Sequence, residues 1–114
     1  MVKPQDTDRL SAQVILRPEI AAARQGVSDW FRQAGFIVGP LVGNNFSIAA
    51  QAAAFKSYFG VDLTGTPQSG VKVLGAEGAA ALELPVDMLP TAIRDKVEAV
   101  LFTKPPDFGL GGRF

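Results

Sequence analysis

Arg17 and the pair Asn44-Asn45 come nearest to a reactive site in this chain, since a guanidinium beside a carboxamide can grip phosphate oxygens. Backbone N–H groups of a glycine-rich loop commonly complete an anion site, and Pro18-Glu19 beside Arg17 supply no such loop. Asp62 and Glu83 could be paired as acid and base, but no motif fixes them in one cleft, and both read as surface charges. Gly109-Leu110-Gly111-Gly112 has the glycine content of a phosphate loop, yet no helix follows to aim its N-terminus at an anion. Trp30, Phe31, Phe55 and Phe59 read as core rather than as a ligand cage. There is no histidine and no cysteine. Thiol nucleophiles, disulfides, the usual zinc sites and any Ser-His-Asp triad are therefore excluded. The chain reads as non-catalytic, with no cofactor and no metal site.

The remaining composition fits one folded domain. At 114 residues, 47% of them hydrophobic, the chain can bury a single core. Eleven basic and eleven acidic side chains cancel, and the basic ones are scattered singly, so no basic face for nucleic acid is expected. No apolar run reaches the roughly 20 residues of a membrane span. Residues 1–10 are polar and charged, unlike a secretory signal peptide.

The elements that must position these residues follow from periodicity. Residues 1–9 read as a flexible N-terminal tail. Residues 12–17 (A-Q-V-I-L-R) predict a buried first strand, which Pro18 stops while opening a helix. Ile20, Ala23, Val27, Trp30, Phe31 and Ala34 form that helix's apolar stripe, and Gly35 stands where a left-handed cap is expected. Residues 36–42 and 45–49 flank Gly43-Asn44 and predict a hairpin, with Gly39-Pro40 marking a bulge or an edge. A second helix is expected over residues 50–59, closed by Gly60, followed by a short strand at 61–63 and a loop at 64–70. Residues 71–74 and 80–84 predict a second hairpin. Residues 90–102 predict a third helix with Ile93, Val97, Val100 and Leu101 as its stripe. The resulting class is α+β. It is a ferredoxin-like split β-α-β antiparallel sheet with two helices on one face and a C-terminal helix, spanning residues 10–102, with a tail over 103–114.

Three stretches carry a resemblance. Asp29-Trp30-Phe31-Arg32-Gln33-Ala34-Gly35-Phe36 is similar to a "W-L-x-x-x-G-F" block. Residues 54–63 (A-F-K-S-Y-F-G-V-D-L) are similar to an "x-F-x-x-x-F-G-V-x-L" block. Leu89-Pro90 followed by Val97-Glu98-Ala99-Val100-Leu101 is similar to "(V/L)-P … V-x-x-V-L-G-L". In this order and spacing the chain resembles the activation propeptide of sedolisin/kumamolisin-type serine-carboxyl peptidases. Phe102-Thr103 departs from the glycine-leucine usual there, and the catalytic peptidase domain is absent from the chain.

The resemblance implies a protein partner, a peptidase domain that the propeptide inhibits and helps to fold, and an exported destination. It implies that Lys104, Pro105, Pro106, Asp107 and Phe108 run through the substrate cleft while the domain docks beside it. It further implies release by acid. Without histidine that switch falls to Asp62, Glu77, Glu83, Asp87, Asp95, Glu98 and Asp107. The structural core of the blocks is Trp30, Phe31, Phe36, Phe55, Phe59, Val97 and Val100. The alternative reading is a free-standing ferredoxin-like interaction module with no peptidase partner.

Overall fold

The computed structural model describes residues 3–18, 24–67, 70–74 and 80–103. Among these residues, eight strands and three helices follow one another as β1 (Arg9–Leu16), α1 (Arg24–Gln33), β2 (Ile37–Val38), β3 (Asn45–Gln51), α2 (Ala52–Phe59), β4 (Asp62–Thr66), β5 (Gly70–Leu74), β6 (Ala80–Ala81), β7 (Glu83–Leu84), α3 (Thr91–Arg94) and β8 (Val97–Phe102). They build an α+β fold with two antiparallel sheets. The larger has five strands in the order β2-β3-β1-β8-β7, and the smaller has three, β4-β5-β6.

The core follows from alternation along the two innermost strands. Leu10, Ala12, Val14 and Leu16 of β1 are all buried, while Arg9 and Ser11 are exposed and Gln13 and Ile15 only half-buried. Strand pairing lines these up with apolar neighbours on both sides. Val14 lies between Phe46 and Val100, and Ala12 lies between Ile48 and Phe102. Over this face pack Val27 and Phe31 of α1 and Ala52, Phe55 and Phe59 of α2. Aromatic rings bridge the layers. Phe31 meets Phe36 and Phe46, Phe36 meets Phe55, and Phe55 meets Phe102 of β8 with centroids 5.3 Å apart. Edge-to-face pairs of this kind add about 0.5–1.5 kcal/mol each beyond their burial.

The helix ends obey the glycine signals. Gly60 caps α2 in the left-handed conformation (φ 66°) and donates its N–H to the Lys56 carbonyl. Gly35 (φ 101°) turns the chain after α1 so that the Phe36 N–H reaches back to the Phe31 carbonyl. The predicted hairpin is present too: Val42 and Asn45 bridge across Gly43, and Gly39 donates to Ser47. Pro40 follows the edge strand β2, where a missing N–H disrupts no ladder. Ile20 and Ala23 lie outside the described residues.

Three expectations need correction. The third helix is a single turn, Thr91–Arg94, and Val97–Phe102 is a strand inserted between β1 and β7. Its burial repeats a helical interval because of a bulge. Ile15 pairs with Ala99 but Leu16 pairs with Val97, so Glu98 is skipped and Val97 and Val100 fall on the same side. Second, Thr64-Gly65-Thr66 is not loop but the second half of β4, with Thr66 opposite Gly70. The glycines that signal a turn there, Gly65 (φ 94°) and Gly70 (φ 105°), sit on adjacent rungs of the ladder, opposite Val71 and Thr66. Third, residues 80–84 do not form one arm of a hairpin: Ala80 and Ala81 pair with β5, whereas Glu83 and Leu84 cross to β8 in the large sheet.

Candidate functional site

Within the N-terminal stretch expected to be a flexible tail, Asp6 and Asp8 bond to α2. Helix α2 starts on Gln51, which offers no side-chain cap. The carbonyls of Asp8 and Asp6 instead accept the N–H groups of Ala52 and Ala53, at 2.8 and 3.1 Å. Two donors left open by helix geometry are thereby satisfied. The Asp6 carboxylate pairs with Lys56 at 3.0 Å, the Asp8 carboxylate accepts the Gln5 N–H at 2.8 Å, and Pro4 is buried.

The arginine–asparagine combination does not converge on an anion. Asn44 donates its side-chain amide N–H to the Leu16 carbonyl at 2.8 Å, and its backbone carbonyl accepts the Leu16 N–H. Its carboxamide is therefore committed to holding the hairpin tip against the end of β1. Arg24, at the start of α1, donates to the Gly43 carbonyl of the same tip. Arg17 is exposed and bonds through its backbone N–H to Lys96. The Asn45 Oδ1 is buried with no hydrogen-bond donor.

The expected carboxylates are dispersed. Asp62 opens β4, Glu83 lies in the edge strand β7, Asp87 lies between β7 and α3, Asp95 follows α3, and Glu98 is the bulged residue of β8. All five are exposed. Among the described residues, ion pairs join Arg32 to Asp29 and Lys56 to Asp6, and none of the five takes part in either. Asp62 and Glu83 stand in different sheets, so they are not a catalytic pair on one strand ladder. Glu77 and the stretch Lys104, Pro105, Pro106, Asp107 and Phe108 lie outside the described residues. Among the described residues no group of three acidic, histidine or cysteine side chains is placed to hold a metal ion, and no helix is long and apolar enough to cross a membrane.

What the fold does assemble is an open sheet face. Across the large sheet, on the side away from α1 and α2, run Ile37 of β2; Asn45, Ser47, Ala49 and Gln51 of β3; Arg9, Ser11, Gln13 and Ile15 of β1; Ala99 and Leu101 of β8; and Glu83 of β7. None of these residues is buried, and Ile37 is 54% exposed. Charge appears as Arg9 at one end of β1, Glu83 on the edge strand and Glu98, exposed at the bulge of β8 beside Ala99. Between them the surface is a mix of small polar and apolar side chains. The polar–apolar alternation of residues 9–16 and 45–51 announces such a half-solvated strand pair, and it was the signal available in the sequence.

The chain matches no protein-family model, and no curated protein or solved structure matches it at a significant level.

Proposed function

We propose that this chain is a non-catalytic propeptide-like domain that restrains, and assists the folding of, a sedolisin-type serine-carboxyl peptidase. Its body docks on the enzyme and the segment after β8 enters the substrate cleft. The observation that carries this reading is where the three sequence blocks fall. Trp30, Phe31 and Phe36 join α1 to β2; Phe55, Phe59 and Leu63 join α2 to β4; Val97 and Val100 lie in β8. All but Trp30 are buried in one core, and Trp30 packs against Phe31 and Tyr58 at its edge.

Two further features support it. The order β2-β3-β1-β8, with α1 following β1 and α2 following β3, supports reading these elements as a ferredoxin-like split β-α-β unit. In that reading β4 to α3 are inserted between the second helix and the last strand. In addition, β8 is hydrogen-bonded on both sides, by β1 and β7, so a segment leaving it starts from a constrained strand. A tail tethered in that way inhibits through effective concentration, because once the body docks the second contact is intramolecular. The carboxylates available to an acid-release step are the exposed ones named above, acting at the interface with the partner rather than within the domain.

The test is titration of the purified chain into a sedolisin-type peptidase at mildly acidic and at neutral pH. Slowed hydrolysis at micromolar chain, weaker at acidic pH, is expected. Loss of inhibition on truncation after Thr103 would locate the effect in the tail. Unchanged hydrolysis at micromolar chain at both pH values would leave the free-standing interaction module as the better reading.

A further inference from the structure

Residues 80–84 belong to both sheets. Ala80 and Ala81 pair with Leu74 and Val73 of β5, and Glu83 and Leu84 pair with Leu101 and Val100 of β8. Between them the Leu82 carbonyl accepts the Phe102 N–H at 2.9 Å. We infer that this segment is a coupling strap: the small sheet and the outer pairing of β8 open together as one unit, while β1 and β3 stay paired.

Ladder length is the first support. Strands β6 and β7 have two residues each, and pairings that short are not stable alone. Only Leu82 separates them, so neither leaves its partner without pulling on the other.

Anchorage is the second. Ala80 and Ala81 are both exposed, so β6 buries no side chain of its own. Leu84 is buried opposite Val100, which is buried too. The anchor of β7 therefore also holds β6 against β5.

The third is the contrast with the rest of the large sheet. β1 and β3 are paired along seven residues, whereas the strap makes two pairs with each neighbour. The two shortest of these pairings thus adjoin, and partial opening of a native protein follows such seams. The linkage runs both ways. Whatever holds the small sheet closed also holds β8 on its outer side, and whatever prises Leu84 from Val100 frees β5 from β6. This coupling does not depend on the peptidase reading.

Native-state hydrogen exchange of the whole chain, read amide by amide in increasing subdenaturing urea, tests it. The Phe102 N–H and the amides of β5 should share one opening, with the same urea dependence and at lower urea than the amides of the β1–β3 ladder. Exposure of the buried Leu63, Val71, Val73 and Leu84 together gives that opening its urea dependence. Gly65→Ala, whose Cβ would stand 2.2 Å from the Gly70 carbonyl oxygen, strains the small sheet at a position that pairs with β5 and not with β8. It should speed exchange of the Phe102 N–H by the same factor as that of the β5 amides, on the order of tenfold or more. Faster exchange in β5 with Phe102 unmoved overturns the inference. So does a wild-type profile in which Phe102 and β5 open separately, or in which every amide follows one global opening. If Gly65→Ala does not fold, the wild-type profile decides by itself.

Discussion

Val97 and Val100 are three residues apart in one strand and are both buried on the same side of the sheet, because the bulge at Glu98 restores the parity that an odd spacing would break. The bulge therefore decides which side chains of β8 reach the core. Leu16 meets Val97 and Val14 meets Val100 only while Glu98 is skipped.

Replacing Glu98 and removing it should consequently differ. Glu98→Ala changes an exposed side chain and should shift stability by less than about 0.5 kcal/mol. Deleting Glu98 forces either Val97 or the Val100–Phe102 stretch to the solvated face. It should cost several-fold more, and urea denaturation followed by circular dichroism compares the two.

Phe55 joins α2 to both Phe36 and Phe102, so it ties one helix to β8 and to the turn after the other helix. Phe55→Ala should cost about 3–5 kcal/mol, a large part of the stability of a domain this size. Thermal melting should show a drop of well over ten degrees, or no cooperative transition at all. Tyr58→Ala, at a side chain 37% exposed, should be much milder.

Three glycine-to-alanine changes should give three different answers. Gly26 lies inside α1 with nothing within 4 Å of an added Cβ, so Gly26→Ala should stabilise by about 0.5–1 kcal/mol through helix propensity. Gly60 is left-handed and its Cβ would meet the Met88 Cγ at 3.0 Å, a flexible neighbour; about 1 kcal/mol of destabilisation is expected. At Gly65 (φ 94°) a Cβ would stand 2.2 Å from the Gly70 carbonyl oxygen, which is backbone and cannot step aside, so about 2–3 kcal/mol should be lost. The order of the three midpoints in urea is the test.

Truncation of residues 1–8 should destabilise by about 1–3 kcal/mol, because the amides of Ala52 and Ala53 lose their carbonyl acceptors and Pro4 its burial. Lys56→Gln breaks only the exposed pair with Asp6 and should stay within about 1 kcal/mol of wild type. If both changes proved equally mild, the segment would be an ornament of α2 and not its cap.

Much of the architecture was legible where one physical rule acted alone. The stripe Val27, Phe31 and the glycines at 35 and 60 mark helices whose ends the structure reproduces, and Gly43-Asn44 marks the hairpin. Reading failed where two rules overlapped. The bulge gave β8 the three-residue interval of a helix, and Leu89-Pro90 with the turn at Thr91–Arg94 supplied a convincing start for one. Gly65 and Gly70 read as loop because positive φ normally ends a strand, whereas here they sit on adjacent rungs inside a ladder, opposite Val71 and Thr66. The anion-type residues were misleading for a different reason: Asn44 is spent on the Leu16 carbonyl, a contact between distant parts of the chain that no local pattern reveals. The open face was foreshadowed only by alternation in β1 and β3. Its extent depends also on Ile37, from the arm expected to pair with residues 45–49, and on Leu101, from a strand expected to be helix.

The position of β8 has a consequence for how the molecule comes into being. It is the last in sequence of the eight described strands, yet it lies inside the large sheet, between the first strand and β7. Until it arrives, β1 has a partner on one side only, and Leu16, Val14 and Ala12 lack half of their cover. The large sheet is therefore completed only through a pairing of the two most distant strands in the sequence. Such pairings are slow, and refolding followed by Trp30 fluorescence should fall in the range of roughly milliseconds to seconds.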